Sequence, residues 1–513
     1  MLSSLKPMVV VLTLALIVFA IIKPICLRFM EASDFSRRRA VWFTLTCTAF
    51  VAPNFWLYAA VALPVLLWAA WSDRHPIALY LFVLLTVPPA ELPIPMPLIN
   101  QLFELSPYRI LALAVLLPAA VRILKSGMGH PPGVAKVDFL MLAYGALQLV
   151  LFFPYESATN TMRRAFLFGL DTYLVYFVFS RGAGTRAALE DAMASFWTAC
   201  AVLVPIVVFE TVKGWLMYTG IPLQWGDPNR LSWLLRAEML RAQGSAGHSL
   251  TMGYLLAVAF GFWLYLGGRL ASRQLLWGVG IALWLGLLAT FSRGPWVVAA
   301  GVLVVYLIGS PTGQRHLGRV LLGIAVIAVP FAMTSAGQRI LSYLPFVGEA
   351  DQENVDYRQQ LAAVSWRLIK QNPYFGDPFA LSYMEELRQG QGIIDLVNTY
   401  ASVSLFYGLV GCALFLVCLV YPSLRTGIAL HRVRSTDTGA ANLGAALVAC
   451  MMGTLVTLAT TSFIAAVSIV PWVLAGLCSG YLAVVQGRER APLERSAAVP
   501  VARAPTPVRG ARW

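Results

Sequence analysis

The sequence predicts an all-α polytopic membrane protein with about 13–15 transmembrane helices and one large, partly helical periplasmic loop. Composition is the first reason: of 513 residues, 59% are hydrophobic and only 12% are charged, against about 25% charged in soluble domains. A soluble protein of this size cannot cover so much apolar surface with polar side chains. The second reason is that apolar runs of membrane-spanning length recur along the chain. Disordered chains, collagens, coiled coils and small disulfide scaffolds are excluded.

The apolar runs place the individual spans, since a helix needs about 20 apolar residues to cross a bilayer. Pro53 and Asn54 interrupt the stretch 40–71, which is long for one span and short for two, so we expect a turn there. The predicted spans are 8–27, 40–55, 56–71, 77–96, 107–124, 137–153, 164–180, 189–212, 248–266, 274–290, 295–309, 317–336, 400–421, 441–462 and 464–485. The first run lacks a small-residue cleavage site and is interpreted as a signal anchor.

Basic residues predict the orientation. They concentrate in connections that all fall on one side of the predicted spans: Arg37–Arg39, Arg122 to Lys136, Arg181 with Arg186, Arg269 with Arg273, Arg315 with Arg319, and Arg425 to Arg434. Because cytoplasmic loops carry the excess of Lys and Arg, we expect this side to be cytoplasmic. The tail 486–513, rich in Arg, Ala and Pro, joins that side and is predicted to be disordered.

Two connections on the opposite side are long, at 213–247 and 335–399, and long loops often carry function. The second contains a helical pattern over Tyr357–Gln371, in which Leu361, Val364 and Leu368 recur at helical spacing. This pattern predicts a small helical subdomain lying over the membrane.

Metal and nucleic-acid sites are not expected. The seven cysteines all lie in apolar runs, without CxxC or Cys/His spacing, so we predict neither a disulfide framework nor a metal site. The net charge of +14 is spread over short loops between spans. We interpret this charge as a determinant of membrane orientation rather than as a nucleic-acid-binding surface.

Arg293 is the strongest single candidate for a catalytic or substrate-binding residue. It follows Phe291-Ser292 and precedes Gly294-Pro295 at a membrane boundary, where an arginine costs up to about 2.5–3.5 kcal/mol if it lies at the centre of a span. One interpretation is simple snorkelling to the interface. The other is an anion site, favoured by Arg241 on the same predicted side, since two guanidiniums can fork onto phosphate oxygens. The glycine-rich turn Gly244–Gly247 would add backbone N–H donors.

The order of motifs resembles the O-antigen ligase and O-antigen or exopolysaccharide polymerase family. An Arg-x-x-Gly element precedes one span, a Phe-Ser-Arg-Gly element follows, and a large external loop carries the remaining motifs. Here these are Arg241 with Gly244, Phe291–Gly294, Arg358, Trp366, Asn372–Gly376, Asn398 with Tyr400, and Gly408–Gly411. The resemblance predicts a core domain over 240–420, including the loop 335–399. It leaves 1–239 as a transmembrane scaffold, 421–485 as C-terminal helices and 486–513 as the tail.

The resemblance implies a metal-independent, inverting glycosyltransferase of the C-type architecture in the bacterial inner membrane, with a periplasmic active site and no cofactor. Its donor would be an oligosaccharide on undecaprenyl diphosphate, and its acceptor a glycan or lipid A-core. Arg241 and Arg293 would bind the diphosphate and stabilise its growing charge. Arg358 would orient the loop or contact glycan or phosphate. His248, Asn398 and Tyr400 are further substrate-binding candidates; for His248, helix capping or interface packing is an equal alternative.

One position departs from the family pattern. Many members carry a histidine, proposed as general base, immediately before the Asn of the Asn-x-Tyr element, where this chain has Val397. The substitution disfavours a ligase. The nearest carboxylate is Asp395, which we predict to accept the hydroxyl proton. The alternative for Asp395 is an acid that stabilises a helix N-terminus.

Three functional classes stay open at this point. A glycosyltransferase is favoured, with a polymerase preferred over a ligase that transfers to lipid A-core. A transporter or flippase for lipid-linked glycans is the second class; it predicts two related halves and ionisable residues at the midplane, for which Asp171 is the clearest candidate. The third is a scaffold subunit that works with other polysaccharide assembly proteins.

Overall fold

The computed structural model describes residues 2–95, 101–126, 133–227, 233–236, 238–270, 272–319, 323, 334, 352–388 and 394–497. Helices dominate these residues, and the described strands form only short antiparallel pairs. The predicted all-α polytopic class is therefore confirmed.

The first half of the described chain contains seven of the main helices and one strand pair. They are α1 (Leu2–Cys26), α2 (Ala32–Val51), α3 (Phe55–Ser72), α4 (Pro76–Val83), β1 (Leu92–Pro93), β2 (Glu104–Leu105), α5 (Pro107–Lys125), α6 (Val134–Phe152) and α7 (Ala158–Phe168 continuing through Leu174–Gly182). Both α5 and α7 contain a π-helical turn, at Ala112–Leu116 and Gly169–Tyr173.

The second half carries the candidate site. Its elements are α8 (Arg186–Lys213), α9 (Gly220–Trp225), β3 (Leu235–Arg236), β4 (Met239–Leu240), α10 (Ser249–Leu266), α11 (Arg273–Ala289), α12 (Arg293–Gly309), α13 (Pro311–Arg319), α14 (Gln352–Gln371), α15 (Thr399–Val433), α16 (Thr438–Leu458) and α17 (Val470–Ala497). Short 3₁₀ turns lie at Gly244–Ala246, Gly267–Arg269, Ala380–Leu387 and Ala465–Ser468.

Among the described residues, nine helices are long and apolar enough to cross a membrane, or ten when the bent pair α12–α13 is counted as one span. Nine of the fifteen predicted spans coincide with these helices. Pro53 and Asn54 do separate α2 from α3, as predicted. The expected range of 13–15 is higher than this count, for reasons that differ between the remaining predictions.

Each of the other predicted spans departs from a simple apolar helix. The span predicted at 77–96 is wrong, because α4 ends at Val83 and the chain turns into β1. Of the segment 40–55, residues 40–51 lie in α2, which also carries arginines, and α7 includes Asp171 and several arginines. Helix α11 is short, α12 bends by 115° into α13, and most of 317–336 lies outside the described residues.

Arg37–Arg39 do not form a loop, contrary to the sequence-based expectation, but lie inside α2. Arg38 is completely buried and its guanidinium donates to Asp73 (2.7 and 2.8 Å) and Asp191 (2.6 and 3.0 Å). A buried charge needs such pairing, since an unpaired one is strongly destabilising. This cluster joins α2 and the α3–α4 turn to α8.

Helix α8 is the central support of the candidate site. It packs against α1 and α4 on one side and against α10 and α11 on the other. On the far side of α10, the next helix α12 packs against α16, and α16 packs against α15. The ends of α8, α11 and α16 thereby meet next to the N-termini of α10, α12 and α15.

Candidate active site

A buried carboxylate holds the segment that carries Arg241. Glu210, near the C-terminus of α8, is fully buried and accepts hydrogen bonds from the backbone N–H groups of Met217 (2.9 Å), Gln243 (3.0 Å) and Gly244 (2.9 Å). Gly244 has a φ of +51°, a conformation that glycine adopts readily. The backbone two and three residues beyond Arg241 is therefore fixed from inside the protein.

The next residue of α8 ties this segment to the turn that carries Arg293. The hydroxyl of Thr211 lies 2.8 Å from the carbonyl oxygen of Ala289 and 3.2 Å from that of Leu240. The N–H of Ala242 also donates to the carbonyl of Ala289, at 3.2 Å. Two loops far apart in sequence are thus joined at the end of α8.

A serine links the Arg241 side chain to the turn that carries Arg293. Arg241 donates from Nη2 to the hydroxyl of Ser292 (3.0 Å), the residue directly before Arg293. A third arginine, Arg236 on β3, donates to the carbonyl of Phe291 (3.0 Å). Phe291 has a φ of +45°, a strained conformation for a residue with a side chain, of the kind that occurs at functional sites. The turn is therefore held in one shape by contacts on both sides.

Arg293 is the first residue of α12, and its surroundings suit an anion. Its buried Nε has no hydrogen-bond partner among the described residues, and it forms no ion pair with any of them. Ser292 precedes the helix but makes no side-chain cap; its hydroxyl contacts Thr290 and Arg241 instead. The N-terminal N–H groups of α12 and the guanidinium of Arg293 thus both favour negative charge.

His248 caps the N-terminus of α10. Its Nδ1 accepts from the N–H of Leu250 (3.2 Å) and caps α10. Burial lowers the pKa of His248 to about 4; nearby Arg241 lowers it further and Asp395 opposes the shift. The ring is neutral at pH 7, and with Nδ1 accepting, the proton sits on Nε2.

Asp395 lies on the segment that leads into α15. Its carboxylate accepts from the hydroxyl of Ser462 at 2.5 Å, and its backbone carbonyl accepts from the hydroxyl of Tyr357 at 3.2 Å. A β-carbon placed on Gly294 would lie 3.7 Å from the hydroxyl of Thr460. The α16–α17 connection, which carries Thr460 and Ser462, therefore bridges the Arg293 turn and Asp395.

Part of the candidate site lies in a segment that is similar to a known protein family. Residues 278–416 match the model of a protein family described as O-antigen ligase. This match covers 139 of the 513 residues of the chain. It spans the Arg293 turn, the large loop and the first half of α15. No curated protein matches the chain.

Other family motifs have structural roles in this chain. The amide oxygen of Asn398 caps α15 by accepting from the N–H groups of Tyr400 (3.0 Å) and Ala401 (3.1 Å). The hydroxyl of Tyr400 donates to the carbonyl of Leu455 (2.7 Å). Asn398, not Asp395, is thus the cap of this helix. Arg358 is exposed on α14, next to the Tyr357 that contacts Asp395.

The Asn-Pro-x-x-Gly and Gly-Leu-x-Gly motifs of the family dock onto each other. Helix α15 is broken at Gly408, whose φ is +67°. The break frees the N–H of Leu409, which donates to the carbonyl of Pro373 (2.8 Å). It also frees the carbonyl of Leu405, which accepts from the N–H of Asp377 (2.8 Å). Close backbone packing therefore explains the glycines.

The predicted helical subdomain is confirmed as α14 and the 3₁₀ turn that follows it. Leu361 is buried there, with Val364 and Leu368 packed against the same small hydrophobic cluster. Val397, which replaces the family histidine, packs against this cluster too. Position 397 therefore serves packing in this chain.

Sequence reasoning missed Glu210, Thr211 and Ser462. It also missed the N-terminal half of the site: the hydroxyl of Ser245 donates to the carbonyl of Leu85, and a β-carbon on Gly247 would lie 2.6 Å from Pro89. An acid near the end of an apolar helix was the available signal for Glu210. The loop 335–399 also contains an acidic run, Glu349-x-Asp351-x-Glu353, whose first two acids lie outside the described residues.

Proposed function

We propose that this protein is an inverting glycosyltransferase of cell-surface polysaccharide assembly, whose donor is a glycan linked to a lipid diphosphate. The observation that carries the proposal is the joining of Arg241 and Arg293 through Ser292, with the buried Nε of Arg293 lacking a partner among the described residues. Two guanidiniums and a helix N-terminus form a site for a diphosphate.

The proposed reaction assigns a role to each group. The acceptor hydroxyl attacks the anomeric carbon, the bond from that carbon to the diphosphate oxygen breaks, and the lipid diphosphate leaves with the bonding electrons. Arg241 and Arg293 stabilise the charge that grows on the leaving group. Asp395 accepts the hydroxyl proton, and the Nε2–H of His248 donates a hydrogen bond to the substrate. The reaction requires no metal.

A polymerase of O-antigen or exopolysaccharide repeat units is favoured over a ligase to lipid A-core, because Val397 stands where ligases place a histidine. A deletion strain distinguishes the two. A polymerase predicts loss of all long polymer, with single repeat units left on undecaprenyl diphosphate. Long polymer that accumulates on undecaprenyl diphosphate and is absent from lipid A-core would indicate a ligase instead.

A transporter of lipid-linked glycans is the alternative from another class. Its main support in the sequence was Asp171 within an apolar span. Asp171 forms a salt bridge with Arg109 at 2.8 Å, so its charge is neutralised within the protein. Accumulation of repeat units on the cytoplasmic face in the deletion strain would favour the transporter, whereas accumulation on the periplasmic face favours the transferase.

A further inference from the structure

A second cationic region lies away from the candidate active site, at the C-terminal end of α15. Arg425 and Arg432 line a cavity of about 250 Å³ together with Leu482 and Gln486 of α17. A second cavity of about 550 Å³ is lined by residues of α13 and the end of α15, including Arg315, His431 and Arg434. The arginine-rich connections predict that this end faces the cytoplasm.

No acidic partner of the arginines in these cavities is found among the described side chains. Within the described part of the chain, none of Arg315, Arg425, Arg432 and Arg434 forms an ion pair. Arg425 contacts the Tyr421 hydroxyl (3.3 Å), a neutral group. The acid that follows in the sequence, Asp437, pairs with Arg186 at 3.6 Å instead. The positive charge is therefore available to an anion from outside the protein.

The spacing on α15 combines these charges with an apolar surface. One face of the helix carries Arg425 and the residues three, four and seven positions after it, which are Ile428, Ala429 and Arg432. The two arginines lie about 10.5 Å apart along the helix axis. Ile428 and Leu424 are 51% and 61% exposed. Apolar side chains exposed beside the arginines match the acyl chains of a lipid better than a free ion.

We propose that these cavities bind the phosphate headgroup of an anionic phospholipid, whose acyl chains lie along Leu424 and Ile428. Basic pockets between membrane helices on the cytoplasmic side recognise such headgroups. The proposal does not depend on the glycosyltransferase assignment, since binding is measured without donor or acceptor.

The test is thermal unfolding of the purified full chain in a neutral detergent, titrated with phosphatidylglycerol. The wild type is expected to be stabilised, with no comparable shift from phosphatidylcholine or from inorganic phosphate at matched ionic strength. The double variant Arg425→Gln/Arg432→Gln should need at least about tenfold more phosphatidylglycerol for half of the shift. Arg319→Gln, an exposed arginine on α13 outside both cavities, is the matched control and should behave as the wild type.

Two results would overturn the proposal. One is an identical phosphatidylglycerol dependence in the wild type and the double variant. The other is a full shift with inorganic phosphate, which would identify a free anion as the ligand. If the double variant does not fold, the single Arg432→Gln variant replaces it, because this side chain is exposed and its loss should be tolerated.

Discussion

At the scale of single residues, the chemistry depends on how a few polar side chains are held. The proposed reaction assigns roles to Arg241, Arg293, His248 and Asp395, and two of these, Arg241 and Asp395, are each contacted by a serine that has no role in the reaction. Ser292 joins the arginines, and Ser462 holds Asp395. Substitution of a residue that reacts should therefore affect turnover and donor binding differently from substitution of a residue that positions it.

Asp395→Asn tests the assignment of the base. The amide keeps the shape of the carboxylate and loses its basicity, so turnover should fall by about 10²–10⁴-fold while donor affinity changes little. Single-turnover kinetics with purified protein measure both quantities. Glu386→Gln, an exposed acid of the same loop, is the control and should keep wild-type turnover. Unchanged turnover in Asp395→Asn would exclude Asp395 as the base.

Glu210→Gln tests the support of Arg241. One carboxylate oxygen of Glu210 accepts from Met217 and the other accepts from Gln243 and Gly244. The NH₂ group of a glutamine would therefore face at least one of these backbone N–H donors, and each donor left unsatisfied costs about 1–3 kcal/mol. We expect weaker donor binding with a smaller effect on turnover of bound donor, measured as a rise in the donor Kd. Glu210→Ala should be more severe. Wild-type donor affinity in a folded Glu210→Gln protein would show that the Arg241 segment does not need this carboxylate.

At the scale of secondary-structure elements, the break in α15 determines how the described segment of the large loop packs against this helix. A β-carbon on Gly408 would lie 2.1 Å from the carbonyl oxygen of Tyr374, and one on Gly376 would lie 2.5 Å from that of Leu405. Contacts this short cannot be relieved by side-chain movement, because both partners are backbone. Since the same loop leads to Asp395, its docking sets the geometry of the site.

Gly408→Ala and Gly376→Ala should therefore separate the loop from α15. The expected results are loss of glycan transfer and faster cleavage of the loop in limited proteolysis of purified protein. Gly427→Ala is the matched control: it lies in the same helix with nothing within 4 Å of the added carbon, and an alanine there should be neutral or slightly stabilising. Wild-type proteolysis of Gly408→Ala would contradict the docking.

The sequence predicted elements better than their contacts. Apolar length located nine spans, and the turn at Pro53 and Asn54 followed from local chemistry. In contrast, Ser462 lies 67 positions from Asp395, and Glu210 lies 33 positions from Gln243. Only tertiary packing brings these pairs together, so no local sequence pattern predicts their contacts. The short α4 was mistaken for a span because buried and lipid-facing apolar residues look alike in sequence.

At the scale of the whole molecule, the arrangement predicts a division between two membrane faces. The candidate active site and the described part of the large loop lie near the start of α15, and the arginine-lined cavities lie near its end. If the arginine-rich connections are cytoplasmic, a reporter fused after Arg434 or at the C-terminus should be active as a cytoplasmic fusion. One inserted near Gly390 should report the periplasm. The reverse result at either position would overturn the orientation.

The proposed glycosyl transfer depends on the binding of a lipid diphosphate by Arg241 and Arg293. The most direct measurement is transfer by the purified protein in lipid nanodiscs, in the presence of EDTA, from a glycan on undecaprenyl diphosphate to an acceptor glycan. Arg367→Ala, which removes an exposed arginine of the loop, is the control and should retain activity.

The wild type should release undecaprenyl diphosphate in step with glycan transfer. Arg293→Ala should lower turnover by about 10²–10³-fold, the usual loss when a donor to a developing charge is removed. Arg293→Lys should recover part of it, because a point charge lacks the fork of a guanidinium. Full turnover in Arg293→Ala would contradict the diphosphate site and leave Arg293 as an arginine that merely reaches the membrane interface.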